Sequence, residues 1–342
     1  MTPTQLSIAF FLQVAVILVT CRLVGTAAQR WFGQPRVVGE MIAGVLLGPS
    51  LFGALMPEVQ AFLFPKESKP ILFVIAQFGV GLYMFLVGLG FDRDEFFKGA
   101  KGAAAVSLAG MAAPFGVALA IAPWLIEHGG LFTARVTQFE ATLFMVLLAP
   151  RLLKVLDRRI AVTGMDETLL GVVLILYLLC AWAMDAVGIH AVFGGFLLGT
   201  AMPRGQLTAA IREKLEPVTV VLLLPFFFTY SGLHTELNLL ADPALLAVAG
   251  LILVLSIAAK GGACYLAARL AGESHPTAMG IGALMNSRGL MELIVINIGL
   301  QRGIITPALF SMLVVMAIVT TLMASPLFEV VYGKKARAEG RL

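Results

Sequence analysis

Apolar runs of membrane-crossing length alternate with short polar clusters along the whole chain. A helix needs about 20 apolar residues to cross a hydrocarbon core of about 30 Å. On that measure the runs predict eleven spans: 6–24, 36–55, 70–90, 99–126, 136–150, 167–189, 190–203, 216–234, 243–270, 277–299 and 305–332. Breaker residues punctuate them at Pro35, Pro57, Pro70, Pro203, Pro217, Pro243, Pro276 and Pro307. The predicted fold class is an all-α polytopic membrane protein, with one membrane domain over 1–342. Residues 333–342 form a short basic tail.

Several runs are interrupted. Gly44, Gly48 and Pro49 interrupt the second, and Pro225, followed by Ser231 and Gly232, interrupts the eighth. The 136–150 and 190–203 segments are short; the first holds Gln138 and Glu140, the second Gly194, Gly195 and Gly199. Short, glycine- or proline-interrupted segments point to broken helices of the kind that build transporter sites. Such irregular backbone is tolerated at membrane depth only beside protein or a water-filled cavity.

Charge at membrane depth is costly, so each instance asks for a role. Lys260 lies about ten residues, or 15 Å, from the end of its apolar run, too far to snorkel comfortably. A lysine taken out of water can serve as a proton-exchanging group. Arg288 and Glu292 are four apart and share one helix face, as a plain salt bridge or as a pair on an ion path. Asn286 and Asn297 add polarity to that helix. Glu140 and Asp185 complete the candidates, although Asp185 and His190 bracket a junction near an interface. Glu40, opening the second span beside Gly39, reads as structural.

Composition agrees with the pattern and adds orientation. The 342 residues are 59% hydrophobic and 13% charged, against about 25% charged in soluble domains. Basic residues collect in alternate loops: Arg22, Arg30 and Arg36; Arg93, Lys98 and Lys101; Arg151, Lys154, Arg158 and Arg159; Arg204, Arg212 and Lys214; and the tail. By the positive-inside rule the N-terminus lies outside and the C-terminus in the cytoplasm. The net charge of +4 therefore speaks of topology and not of nucleic acid. Cys21, Cys180 and Cys264 lie in apolar runs without metal or redox spacing. No nucleotide, zinc-hydrolase or serine-hydrolase motif is present, which argues against an enzyme and against a cofactor.

Taken in order, several strings resemble one family. Gln34-Pro-Arg-Val-Val-Gly-Glu-Met-Ile-Ala-Gly-Val-Leu-Leu-Gly-Pro-Ser-Leu-Phe-Gly53, Gly79–Leu89, His190–Gly199, Phe226–Leu233, Ala259–Gly262 and Asn286–Glu292 are similar to the signatures of bacterial monovalent cation:proton antiporters. This is the sodium/hydrogen exchanger group that includes glutathione-gated potassium efflux transporters. The resemblance implies two inverted helical repeats, crossed broken helices and a homodimer in the bacterial inner membrane. It implies exchange of sodium or potassium for protons at a midplane carboxylate, open to each side of the bilayer in turn.

The chain departs from that family at one place. Glu140–Met145 resembles the start of the family's crossing helix, and Val146–Leu153 the end of a later span. About two spans, including the helix with the acidic pair, are missing between them, and Lys260 resembles the lysine that pairs with that acid. An antiporter that transports poorly or not at all is expected; the competing reading is that Glu140 or Glu292 substitutes for the acid. The alternative is a non-transporting membrane subunit or sensor built on the same scaffold.

Overall fold

In a computed structural model of the chain, residues 2–91, 167–186, 188, 190–203, 205–333 and 337 are described. The expected spans 99–126 and 136–150 lie outside them, with Glu140, the 145–146 junction and most of the basic tail. Every extended regular element among the described residues is a helix. Among the described residues, eight helical stretches are long and apolar enough to cross a membrane: Thr4–Phe32, Arg36–Leu55, Pro57–Gly90, Glu167–Ala186, Gln206–Leu239, Pro243–Leu270, His275–Gln301 and Pro307–Gly333. A shorter apolar helix, Ala191–Ala201, accompanies them. Each of the nine expected spans within the described residues thus falls on a helical stretch, continuous or broken.

The chain divides into two compact units. The described part of the first comprises residues 2–20, 58–91 and 167–230. It holds α5 (Lys69–Gly90), α6 (Glu167–Ala186), α7 (Ala191–Ala201) and α8 (Gln206–Val218). Their core gathers Leu82, Phe85, Leu89, Val173, Tyr177, Leu198, Ile211 and Leu223. The glycine-rich 190–203 segment is not a broken helix. It is an unbroken eleven-residue helix pressed against α5, backbone to backbone. A Cβ at Gly199 would strike the carbonyl of Phe85, and one at Gly195 that of Gly81. Small residues replace side-chain packing with close helix approach, the usual device of membrane bundles. Pro225 also fails to break its span. A π-turn at Thr219–Leu223 widens the helix before it, and α9 (Leu224–Leu233) continues unbroken. Such a widened turn accommodates the missing N–H and the ring without ending the helix.

The described part of the second unit comprises residues 21–57 and 231–333 with Arg337. Near its N-terminal end, the last part of α1 (Pro3–Phe32) touches α2 (Arg36–Leu47) at Gly25 and Gly39. The expected break in the second span is present: α2 stops at Leu47 and Gly48 turns to extended backbone. There Gly44, Gly48 and Gly232 meet so closely that a Cβ at Gly48 would strike the Gly232 carbonyl, and one at Gly232 that of Gly44. Ser50, just past the break, satisfies backbone beyond the end of α9. Its hydroxyl donates to Thr235 O (2.8 Å) and accepts from the Leu237 N–H (2.6 Å). The remaining helices are α10 (Pro243–Ile257), a π-turn at Ala258–Gly262, α11 (Ala263–Leu270), α12 (His275–Met285), α13 (Leu290–Gln301) and α14 (Pro307–Phe328).

Candidate ion site at a broken helix

Expected as one span, 277–299 is two half-helices. α12 ends at Met285, residues 286–289 belong to neither helix, and α13 starts at Leu290. The cause is local. Asn, Ser and Gly compete with the helix ladder, and Gly289 adopts an extended conformation. Thr321 of α14 holds the gap open, accepting the Arg288 N–H (3.1 Å) and lying 3.2 Å from the Arg288 carbonyl.

The break carries three of the groups singled out in the sequence. Arg288 lies in the gap, not on a helix, yet its guanidinium still pairs with Glu292 in the first turn of α13. The half-helix N-terminus adds a favourable dipole for that carboxylate. Asn286 is buried; its Nδ2 donates to Gly282 O (3.1 Å), while its Oδ1 and the Arg288 Nε have no partner among the described residues. Lys260 sits in the π-turn Ala258–Gly262, which packs on the end of α12. A Cβ at Gly261 would run into the Asn286 amide, and one at Gly282 would lie 2.8 Å from Gly261 O. Lys260 is half-buried, lies within electrostatic reach of Arg288 and Glu292, and has no ion-pair partner among the described residues. A cavity of about 280 Å³ borders this seam, lined by Gly261, Gly262, Tyr265, Gly282, Asn286 and Leu327.

The structure therefore brings Lys260, Arg288 and Glu292 together. Asp185 is not among them: it is exposed in the last turn of α6, in the first unit. Glu140 lies outside the described residues. A buried polar pair that the sequence reading left unjoined also belongs to this unit: Asn297 Nδ2 donates to Ser231 Oγ (2.7 Å) and to Leu293 O (2.9 Å). The described residues contain no cluster of His, Cys, Asp and Glu suited to a tightly held metal.

A broken helix beside a half-buried lysine and an Arg–Glu pair suits a transporter, and the sequence comparisons give the chain a family. The pattern of the transmembrane sodium/hydrogen exchanger family matches residues 15–150 and 128–331. The chain belongs to the sodium/hydrogen exchanger family. It is 32% identical to the Na(+)/H(+) antiporter NhaS4 of Synechocystis over 394 positions, with 93% of this chain and 96% of that protein covered. The Na(+)/H(+)-K(+) antiporter GerN of Bacillus cereus is 23% identical, with 96% and 98% covered. The K(+)/H(+) antiporter 1 of Saccharomyces cerevisiae is 26% identical, and this chain spans 46% of its length. The family's strings at Gly44–Gly48, Gly194–Gly199 and Asn286–Glu292 are thus, in physical terms, two close backbone crossings and one helix break.

Proposed function

We propose that this exchanger-family protein exchanges a monovalent cation, sodium or potassium, for protons by alternating access. The observation that carries this reading is the break at 286–289 with Lys260 against it. The C-terminal end of α12 presents carbonyl dipoles and the Asn286 Oδ1 to a cation. The Lys260 ammonium competes for the same negative surroundings. Cation entry favours release of the lysine proton, and cation exit favours its return, so the two loads exclude each other. The Arg288–Glu292 pair fixes the second half-helix, and Arg288 keeps Glu292 from competing for the cation as an unpaired anion. Lipid surrounds the bundle, and the family resemblance together with the loop charges supports a homodimer in a bacterial inner membrane, N-terminus outside and C-terminus cytoplasmic.

A second reading is that transport is impaired because the chain lacks its family's acid-bearing helix near 145–146. The alignments support the loss. In the comparison with the Synechocystis antiporter, 93% of this chain is about 318 residues, so about 76 of the 394 aligned positions are filled by the relative alone. Two crossings of about 20 residues with their loops fit that length. The two family matches also overlap at residues 128–150, where the seam is expected. If the loss leaves no transport at all, the scaffold serves as a membrane subunit or sensor. Everted membrane vesicles carrying a pH-sensitive dye test the main reading. Sodium or potassium chloride should dissipate the acid interior, choline chloride should not, and no cation response in vesicles that contain the protein would favour the non-transporting reading.

A further inference from the structure

Glu40 is the one charged side chain among the described residues that is fully buried, at 4% exposure. It lies four residues into α2, about 6 Å along the axis from Arg36. Its burial comes from backbone contact. A Cβ at Gly39 would lie 2.6 Å from the Gly25 Cα and 2.7 Å from the Val24 carbonyl, so α1 and α2 touch without side chains between them. The Glu40 side chain runs into that seam, where a Cβ at Gly25 would sit 3.4 Å from its Cγ. The Oε2 atom is buried and has no hydrogen-bond partner among the described residues.

Two charged groups act on this carboxyl, Arg22 from α1 and Arg36 from the start of α2. No ion pair joins either to Glu40 among the described residues, and Arg36 Nε donates instead to Gln29 Oε1 (2.6 Å). An ionised carboxylate in such a place is costly unless it is paired. Two things can satisfy the bare oxygen: a proton on it or a cation beside it. Closed in the seam between α1 and α2, the side chain does not reach out to headgroups or water, the usual benign account of a charge near a helix end.

We infer that Glu40 is a proton-carrying group of the exchange cycle, bonded to a proton when no cation is near and releasing it when a monovalent cation comes to lie beside Oε2. The O–H bond breaks, the proton leaves to water on the side open at that moment, and the cation balances the carboxylate. The inference rests on the antiporter reading above.

The test uses the purified full-length protein, wild type, Glu40→Gln and Glu40→Asp, each checked by thermal melting. Infrared difference spectra are recorded on exchanging choline for sodium or potassium at fixed pH. In the wild type the cation should bleach a protonated-carboxyl band. Glu40→Gln should lack that band, and Glu40→Asp should keep it at a shifted frequency. An unshifted band in Glu40→Asp, a band surviving in Glu40→Gln, or a wild type without one overturns the inference, and the Asp variant decides if the Gln variant does not fold. Proton flux in proteoliposomes separates the two readings. Glu40→Gln should lower it by roughly a hundredfold, the scale for removing a proton-transfer group. Undiminished flux in Glu40→Gln sinks the role of Glu40 and leaves antiport standing. A Glu40-dependent band without any wild-type flux keeps Glu40 as a cation-linked proton site and sinks antiport.

Discussion

Replacing Gly199 by alanine adds one methyl group where two helices touch through their backbones. The new Cβ would strike the Phe85 carbonyl and would lie 2.9 Å from both the Gly88 Cα and the Leu89 nitrogen. Backbone atoms cannot rotate aside as a side chain can, so α5 and α7 must separate. Overpacking of this kind costs typically 1–3 kcal/mol, and a backbone obstacle places it near about 3. On the scale of soluble domains of 150–250 residues, that lowers the melting temperature by about 6–12 °C. Gly171→Ala is the matched control in the same unit, because a Cβ there meets nothing within 4 Å. Relief of glycine's entropy cost should raise stability there by about 0.5–1 kcal/mol. Thermal melting of both variants in detergent, followed by tryptophan fluorescence, reads the difference. Equal melting temperatures for the two would refute the backbone contact between α5 and α7.

Other outcomes follow from individual contacts. Arg288→Leu leaves Glu292 unpaired beside the helix break and should destabilise by about 1–3 kcal/mol, less than for a fully buried pair because Glu292 is partly exposed, whereas Arg288→Leu with Glu292→Leu should recover most of that loss; a double variant no better than the single contradicts the pairing. Ser50→Ala strips the Leu237 N–H of its acceptor at the α2 break, at an expected cost of about 1–3 kcal/mol by thermal melting. Asn297→Ala leaves the Ser231 hydroxyl buried without its donor and should cost a similar amount, partly recovered by adding Ser231→Ala.

The spans were legible because apolar runs of bilayer length are hard to build for any other reason, and nine of them fall on helical stretches. Lys260, Arg288 and Glu292 were legible because charge inside an apolar run is expensive. The break at 286–289 was not: its Asn, Ser, Arg and Gly read as chemistry carried on one continuous helix. Glycine was ambiguous in the opposite sense. In Gly194–Gly199 it permits close approach within an unbroken helix, and at Gly48 it permits close approach where a helix ends, and composition alone does not separate the two uses. Pro225 misled because a π-turn absorbs the defect, and a π-turn has no clear sequence mark. Asn297 and Ser231 are 66 residues apart, so their hydrogen bond is a product of tertiary packing. Glu40 looked like an interfacial residue because its burial depends on Gly25, on a different helix.

Cation-driven proton movement in proteoliposomes of the purified chain tests the account most directly, with the Synechocystis antiporter reconstituted alongside as the working standard. An outward sodium or potassium gradient should acidify the lumen of wild-type vesicles, reported by an enclosed pH dye, and Lys260→Ala should abolish the signal. Flux from the standard with none from this chain, or flux undiminished in Lys260→Ala, would contradict the account.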